Sequence, residues 1–227
     1  MELVAIFLGI LPGFAWLFFY LREDLHPEPK NLIALTFIFG VTSAIFALGI
    51  QVVLSHAFEG FGIKKYSLIA ILFLALVEEL AKFGGAFFAV HKNEAFDEPV
   101  DAMIYMVVAS LGFATLENVG ALGGFVSGYS GSAAVSEIIS VSSMRFVGAT
   151  LLHTLSSGIV GYYWAKSIRD FGSRGNLILG IILATMLHTL FNYLIITSES
   201  LSYSILLVII VGFIILNDFE KLKEKAI

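Results

Sequence analysis

The sequence predicts an all-α fold, a polytopic transmembrane helical bundle of about seven spans. Three observations predict it. First, 58% of the 227 residues are hydrophobic and only 14% are charged, with 21 Phe and 21 Gly. A soluble domain is about half apolar and about a quarter charged, so this composition suits lipid rather than water. Second, several apolar runs are long enough to cross a bilayer core, which takes roughly 20 helical residues. Third, those runs do not alternate apolar and polar positions, as the roughly ten-residue strands of a membrane barrel must.

Prolines, glycines and charged clusters divide the chain into helices over about 3–21, 31–54, 67–91, 99–121, 137–165, 176–197 and 200–216. The first lacks a positive leader and a small-x-small cleavage site, and its apolar run outlasts that of a signal peptide, so it reads as a retained span. It stops at LREDLHPEPK (21–30), where Pro27 and Pro29 break any helix. The second runs to the polar SHAFEGFGIKKY (55–66), and the third to HKNEAFDEP (91–99). The fourth opens on Pro99, a residue suited to a first helical turn, with Asp101 beside it to favour the positive end of the helix dipole. It closes at the Gly/Ser-rich ALGGFVSGYSGS (121–132). The fifth ends at KSIRDFGSRG (166–175), and the short TSES (197–200) separates the last two. There is no fixed-period repeat and no separate soluble segment, so residues 1–227 read as one integral membrane domain with a core of about 31–197.

Composition also excludes some classes. The chain has no cysteine, which removes disulfides, thiolate metal sites and cysteine nucleophiles. The net charge is −5 and no dense basic cluster exists, so a nucleic-acid partner is not expected. Cytoplasmic loops carry the excess of Lys and Arg. The first, third and fifth loops and the tail hold Arg22, Lys30, Lys92, Lys166, Arg169, Arg174, Lys221, Lys223 and Lys225, against Lys64, Lys65 and Arg145 opposite. Nine against three predicts an N-terminus outside and a C-terminus in the cytoplasm.

Ionisable groups inside spans are costly, at least about 2.5–3.5 kcal/mol each at the bilayer centre, and mark function or pairing. The third helix carries LVEELAKFG at 76–84, in which Glu78, Glu79 and Lys82 share one face at spacings of three and four. The fourth carries Glu117 and Asn118, with Phe113 one turn earlier; the fifth carries His153; the sixth carries His188 and Asn192 one turn apart. At a rise of about 1.5 Å per residue, Glu117 lies roughly 8 Å, His153 roughly 10 Å, His188 roughly 14 Å and Glu78 roughly 17 Å from the outer ends. Four helices thus present carboxylate, imidazole and amide groups at compatible depths, and they can converge.

A partly desolvated carboxylate can act as a general base on water, while imidazole and carboxamide groups can stabilise an oxyanion. Hydrolysis of a peptide bond within the membrane is therefore a coherent reading, with Lys82 keeping one of the two glutamates ionised. Each group also has a plainer reading. Glu78 with Lys82 can be a neutralised pair, which leaves Glu79 unmatched. His153 can be a core histidine bonded to a carbonyl, and His188 with Asn192 can glue two helices. Asp101 suits a helix start, Arg145 and Glu137 suit the membrane interface, and the spacing of Ala149, His153, Ser157 and Gly161 suits helix packing.

Taken in order, EELAK (78–82), DEPVDAMIY (97–105), GFATLEN (112–118), His153 and HTLFN (188–192) resemble the PrsW family of intramembrane proteases. That family is distantly similar to the CAAX prenyl proteases, with their EExxxR, FxxxH and HxxxN elements, and the resemblance implies a core of the same kind. It implies that Glu78 activates water, that Glu79 and Lys82 orient it or hold a partner, and that His188 with Asn192 forms the oxyanion side. Glu117 stands where the prenyl proteases have a histidine; it either shares a proton with Glu78 or joins Glu and His ligands around a metal. Phe113, Asn118 and Asp101 would bind substrate or support the site. The family is described both as metallo- and as glutamic-type. No HExxH is present, so no cofactor is favoured, with Zn2+ expected if the metal reading holds. The resemblance further implies a prokaryotic plasma membrane and a membrane-anchored, anti-sigma-factor-like substrate cut near the outer face.

Other classes fit less well. An aspartyl protease needs two membrane aspartates, and Asp101 is the single candidate. A serine dyad would rest on the Gly-Tyr-Ser-Gly at 128–131, which falls in a loop. An ion- or proton-coupled transporter uses similar buried charges, but predicts broken helices or internal repeats, which the sequence does not show. A binding scaffold that has lost activity ranks last, because every motif is intact.

Overall fold

A computed structural model describes residues 2–22, 26–126, 131–169, 174–198 and 202–223. Every regular element among them is helical: α1 (Glu2–Tyr20), α2 (Lys30–Gly60), α3 (Leu68–Val90), α4 (Pro99–Val126), α5 (Gly131–Arg145), α6 (Leu151–Arg169), α7 (Arg174–Thr197) and α8 (Ser202–Lys223). A π-helical turn, Phe146–Thr150, joins α5 to α6 without a break, so the described chain forms seven continuous helical rods. The expected polytopic bundle is present.

Six of the rods are long and apolar enough to cross a membrane. The seventh, α3, has 23 residues and a length of roughly 34 Å, but carries Glu78, Glu79 and Lys82. All three are buried. Large apolar side chains such as Phe7, Phe46, Phe88 and Phe213 point outward instead, the inversion expected of a protein whose solvent is lipid.

Local chemistry sets the helix starts. Ser67 accepts a hydrogen bond from the Ala70 amide at 3.3 Å and caps α3. At α4, Asp101 reaches back to accept from the amides of Glu98 at 2.7 Å and Asp97 at 3.0 Å. This is the back-bond of a capping box, with Pro99 at the first helical position.

The expected spans match the rods, but several limits move. Residues 55–60 continue α2, and residues 121–126 continue α4, because neither segment holds a residue that must stop a helix. Lys221 and Lys223, expected in a tail, belong to α8. Positions 127–130 of the Gly/Ser-rich segment, with Ser130, and Lys225 of the tail lie outside the described residues.

α4 is the axis of the bundle. It packs against α1, α2, α3 and α6, and its residues from Val100 to Ala114 are all buried. Lipid tails are as apolar as leucine, so close packing must hold such helices together. Glycine permits it between α2 and α4: a Cβ on Gly40 would strike the Ala109 carbonyl, and one on Gly112 would strike the Phe37 carbonyl. Gly161 of α6 likewise lies against the backbone of Ala102 and Met103 of α4, while His153 of the same stripe turns to the polar interior.

α3 sits against α2, α4 and α7, and α6 packs between α4 and α7. This brings the polar positions of α3, α4, α6 and α7 to a common interior. Counted from the revised ends, Glu117 lies nine residues before Val126, His188 nine before Thr197 and Glu78 ten after Leu68. All three are thus roughly 14–15 Å from the same end of the bundle, a closer match than the sequence-derived ends suggested.

Candidate active site

Glu79 and Lys82 sit one turn apart on α3, and both are fully buried. The Lys82 ammonium donates to Glu79 Oε1 at 2.6 Å, to Ser156 Oγ at 3.3 Å, and faces His153 Nδ1 at 3.2 Å. An ammonium has no lone pair to offer, so His153 Nδ1 must be the acceptor. Its other nitrogen, Nε2, then carries the proton and donates to Glu117 Oε2 at 2.8 Å. The network therefore fixes a neutral tautomer for His153.

His188 is held in the same manner from the opposite side. Its Nδ1 lies 2.8 Å from Glu79 Oε1, an oxygen that already accepts from Lys82 and so serves two donors. Nδ1 is thus the protonated nitrogen, and Nε2 faces Glu78 Oε2 at 3.5 Å. Two acceptors face each other there unless a proton or a cation lies between them. The two imidazole rings meet edge to face with centroids 5.1 Å apart.

Glu78 is anchored by a residue that the sequence did not single out. Gln51, near the end of α2, donates through Nε2 to Glu78 Oε1 at 2.8 Å. Glu78 Oε2 and Glu79 Oε2 are buried with no hydrogen-bond partner among the described residues. Unsatisfied buried carboxylate oxygens are costly and call for a ligand, proton or water.

Those oxygens bear on metal binding. Glu78, His153 and His188 each offer one donor atom, and the three atoms lie within 4.8 Å of one another. Ligands about 2.1 Å from zinc stand somewhat closer than that, so the set would close by drawing its side chains inward. His188 donating its Nδ1–H to the Glu79 carboxylate is also the usual support of a metal-bound histidine. Glu78 Oε2 and His188 Nε2 fit a divalent cation as they stand, and His153 would join them only by releasing Lys82 or its proton to Glu117.

Glu117 is the most open of the acids, with its side chain 31% exposed. Beyond it lie two further residues. Arg145 donates from Nε to Asn118 Oδ1 at 2.5 Å and places a terminal nitrogen 3.7 Å from Glu117 Oε2. Asn118 in turn donates to Thr150 Oγ1 at 3.0 Å, so it is a support of the site. Phe113 covers the interior, its ring 5.7 Å from the Lys82 ammonium and 5.6 Å from the His153 ring. A cation against an aromatic face is favourable in such a dry place.

Glu78, Glu79, Lys82, Glu117, His153 and His188 therefore form one cluster, buried except at Glu117, with Phe113 and Asn118 beside it. Two residues lie elsewhere. Asn192, half-buried one turn beyond His188, lines a separate cavity of about 500 Å³ with Arg145 and Phe191. Asp101 serves the start of α4 at the other end of the helix. Arg145, expected at the membrane interface, joins the network, and Gln51, Thr150 and Ser156 complete it without having been picked out. A lone amide within the apolar α2 and the His-x-x-Ser spacing at 153–156 were their only traces in the sequence.

A second cavity, of about 600 Å³, opens between α2 and α4 and is lined by Gln51, Phe113, Glu117 and Arg145 among others. The cluster is thus reachable from the bundle surface through Glu117 and Gln51.

The sequence is also similar to known proteins. The sequence model of a family described as "PrsW family intramembrane metalloprotease" matches residues 28–216. A protein named Protease PrsW from Geobacillus kaustophilus is 33% identical over 197 residues, 86% of this chain and 81% of that protein. Its namesake in Bacillus subtilis is 30% identical over 189 residues, 82% of this chain and 80% of its own. That of Clostridioides difficile is 26% identical, with 97% and 92% covered. No solved structure matches the chain. The match spans every rod that contributes to the cluster, and the chain belongs to the PrsW family of intramembrane proteases, as an integral membrane protein built of helices.

Proposed function

We propose that the whole chain, residues 1–227, is a single protease domain that cuts membrane-anchored proteins, with Glu78 as the residue that activates water. The observation that carries this reading is the unpartnered Glu78 Oε2, buried beside His188 Nε2 while Gln51 holds the other oxygen. A water at that point would give its proton to Glu78 as its oxygen bonds to the carbonyl carbon. When the carbon–nitrogen bond breaks, Glu78 returns the proton to the leaving amine, and the carboxylate is restored. Glu79 and Lys82 neutralise each other and fix the two imidazoles; Glu117 orients His153. Of the pair expected on the oxyanion side, Asn192 keeps an amide donor in the neighbouring cavity, while the one N–H of neutral His188 is held by Glu79.

Glu78 and His188 would hold a divalent cation if the enzyme carries one, with His153 as a third ligand once it gives up its bond to Lys82 or Glu117. Bound zinc would polarise the carbonyl and acidify the water. The carboxylate of Glu78 would then serve as ligand, and Glu117 would be the acid left open to the cavity.

The substrate in this proposal is a single-span protein of the anti-sigma-factor kind, reached from the lipid. Reconstitution in liposomes with single-span peptides tests it. Cleavage is expected, and Glu78→Gln is expected to lower it by at least about 100-fold, the effect of losing a general base. Cleavage that survives Glu78→Gln ends the assignment. Elemental analysis of protein purified without a metal-affinity tag separates the two mechanisms: one zinc per chain, lost in His188→Ala, means a metalloenzyme, and no bound metal with full activity means a glutamic one.

A further inference from the structure

Lys82 cannot reach a substrate, because it is fully buried and its donors go to Glu79, His153 and Ser156. Arg145 is placed differently. It is the last residue of α5, directly before the π turn Phe146–Thr150, and π turns gather at functional sites. Asn118, itself held by Thr150, grips the guanidinium at Nε. One of its terminal nitrogens lies 3.7 Å from Glu117 Oε2, longer than a hydrogen bond. That same oxygen accepts from His153 at 2.8 Å. Arg145 therefore brings a fixed positive fork with unspent N–H groups to the edge of the acid cluster.

It also lines both of the large cavities. On one side is the space of about 500 Å³ bounded by Val147, Phe191, Asn192 and Ile195. On the other is that of about 600 Å³ bounded by Leu48, Gln51, Phe113 and Glu117. Each has the size of an ordinary ligand site, about 300–1,000 Å³. A peptide running from one cavity to the other passes Arg145.

We infer that Arg145 is a further catalytic residue: its guanidinium donates to the carbonyl oxygen of the scissile bond as negative charge forms there, between two apolar cavities that take the flanking substrate residues. This rests on the protease reading above. Arg145 gives up no proton; the water's proton travels by Glu78, and the guanidinium only meets the charge on oxygen. A preorganised donor of this kind acts mainly on the transition state.

The test uses the full-length protein in liposomes with a single-span peptide that the wild type cleaves. Arg145→Gln is expected to lower kcat roughly 100- to 1,000-fold, the range for loss of one oxyanion donor, with KM changed by less than about threefold. Arg145→Ala is expected to regain part of kcat when free guanidinium ion is added, which a purely structural role would not allow. Arg145→Lys keeps the charge beside Glu117 but loses the fork, and is expected to remain at least about tenfold slow. Wild-type kcat in Arg145→Gln, or full activity in Arg145→Lys with no guanidinium rescue, overturns the inference and leaves the protease reading intact. If Arg145→Gln does not fold, the lysine variant and the rescue decide alone. A wild type that cleaves no peptide overturns the protease reading itself, and this inference with it.

Discussion

Glu79 and Lys82 show how a charge survives in lipid. Each is fully buried, and each neutralises the other at 2.6 Å. Removing one partner of a buried pair leaves an uncompensated charge and costs about 3–5 kcal/mol, whereas removing both is often nearly neutral. Lys82→Met is therefore expected to destabilise the protein by about that amount. Glu79→Gln added to it should recover most of the loss, because the amide oxygen still accepts from His188 Nδ1. Thermal unfolding of both variants in detergent reads the difference; losses that simply add would mean that Glu79 and Lys82 are not coupled. At this scale the sequence was legible for residues whose type is out of place in a span. Glu78, Glu79, Lys82, Glu117, His153 and His188 were found because lipid penalises them one by one. Gln51, Thr150 and Ser156 were not, since an amide or hydroxyl in a helix is cheap enough to occur without a role. Arg145 was expected at the interface, where arginine often snorkels, but its long side chain turns inward to Asn118 instead.

Helix spans were legible from the length of the apolar runs, and their ends were not, because α2 and α4 run on through residues that merely permit helix. The π turn left no trace either: Phe146–Thr150 contains nothing that forbids an ordinary helical turn. What the helices need from each other is proximity, and Gly112 supplies it to α2 and α4. A Cβ there meets the Phe37 carbonyl, which belongs to backbone and cannot step aside. Gly112→Ala is expected to cost about 1–3 kcal/mol, the ordinary range for overpacking. It should also lower activity, because α2 carries Gln51. Gly84→Ala on α3 makes the opposite comparison: nothing lies within 4 Å of its added methyl, and alanine is the better helix former by about 1 kcal/mol. It should leave the melting temperature unchanged or raise it. Equal losses in the two variants would remove the close approach of α2 and α4 as the reason for glycine at 112.

For the molecule as a whole, the cluster defines a direction across the membrane. Glu78, Glu117 and His188 lie roughly 14–15 Å from the face at which α2, α4 and α7 end, and the proposed cut on the outer side requires that face to be exterior. Charge supports this orientation more strongly once the fold is known, because Arg145 points into the bundle and leaves Lys64 and Lys65 as the basic residues of that face. The opposite face keeps Arg22, Lys30, Lys92, Lys166 and Arg174, the excess expected in the cytoplasm. A chain without cysteine allows a clean measurement. Lys64→Cys, in the α2–α3 connection, should react with a membrane-impermeant maleimide on intact cells. Lys92→Cys, in the α3–α4 connection, should react only after permeabilisation. The reverse pattern would invert the protein, place the shorter path to Glu117 on the cytoplasmic side, and move the expected cut of a single-span substrate to its cytoplasmic half.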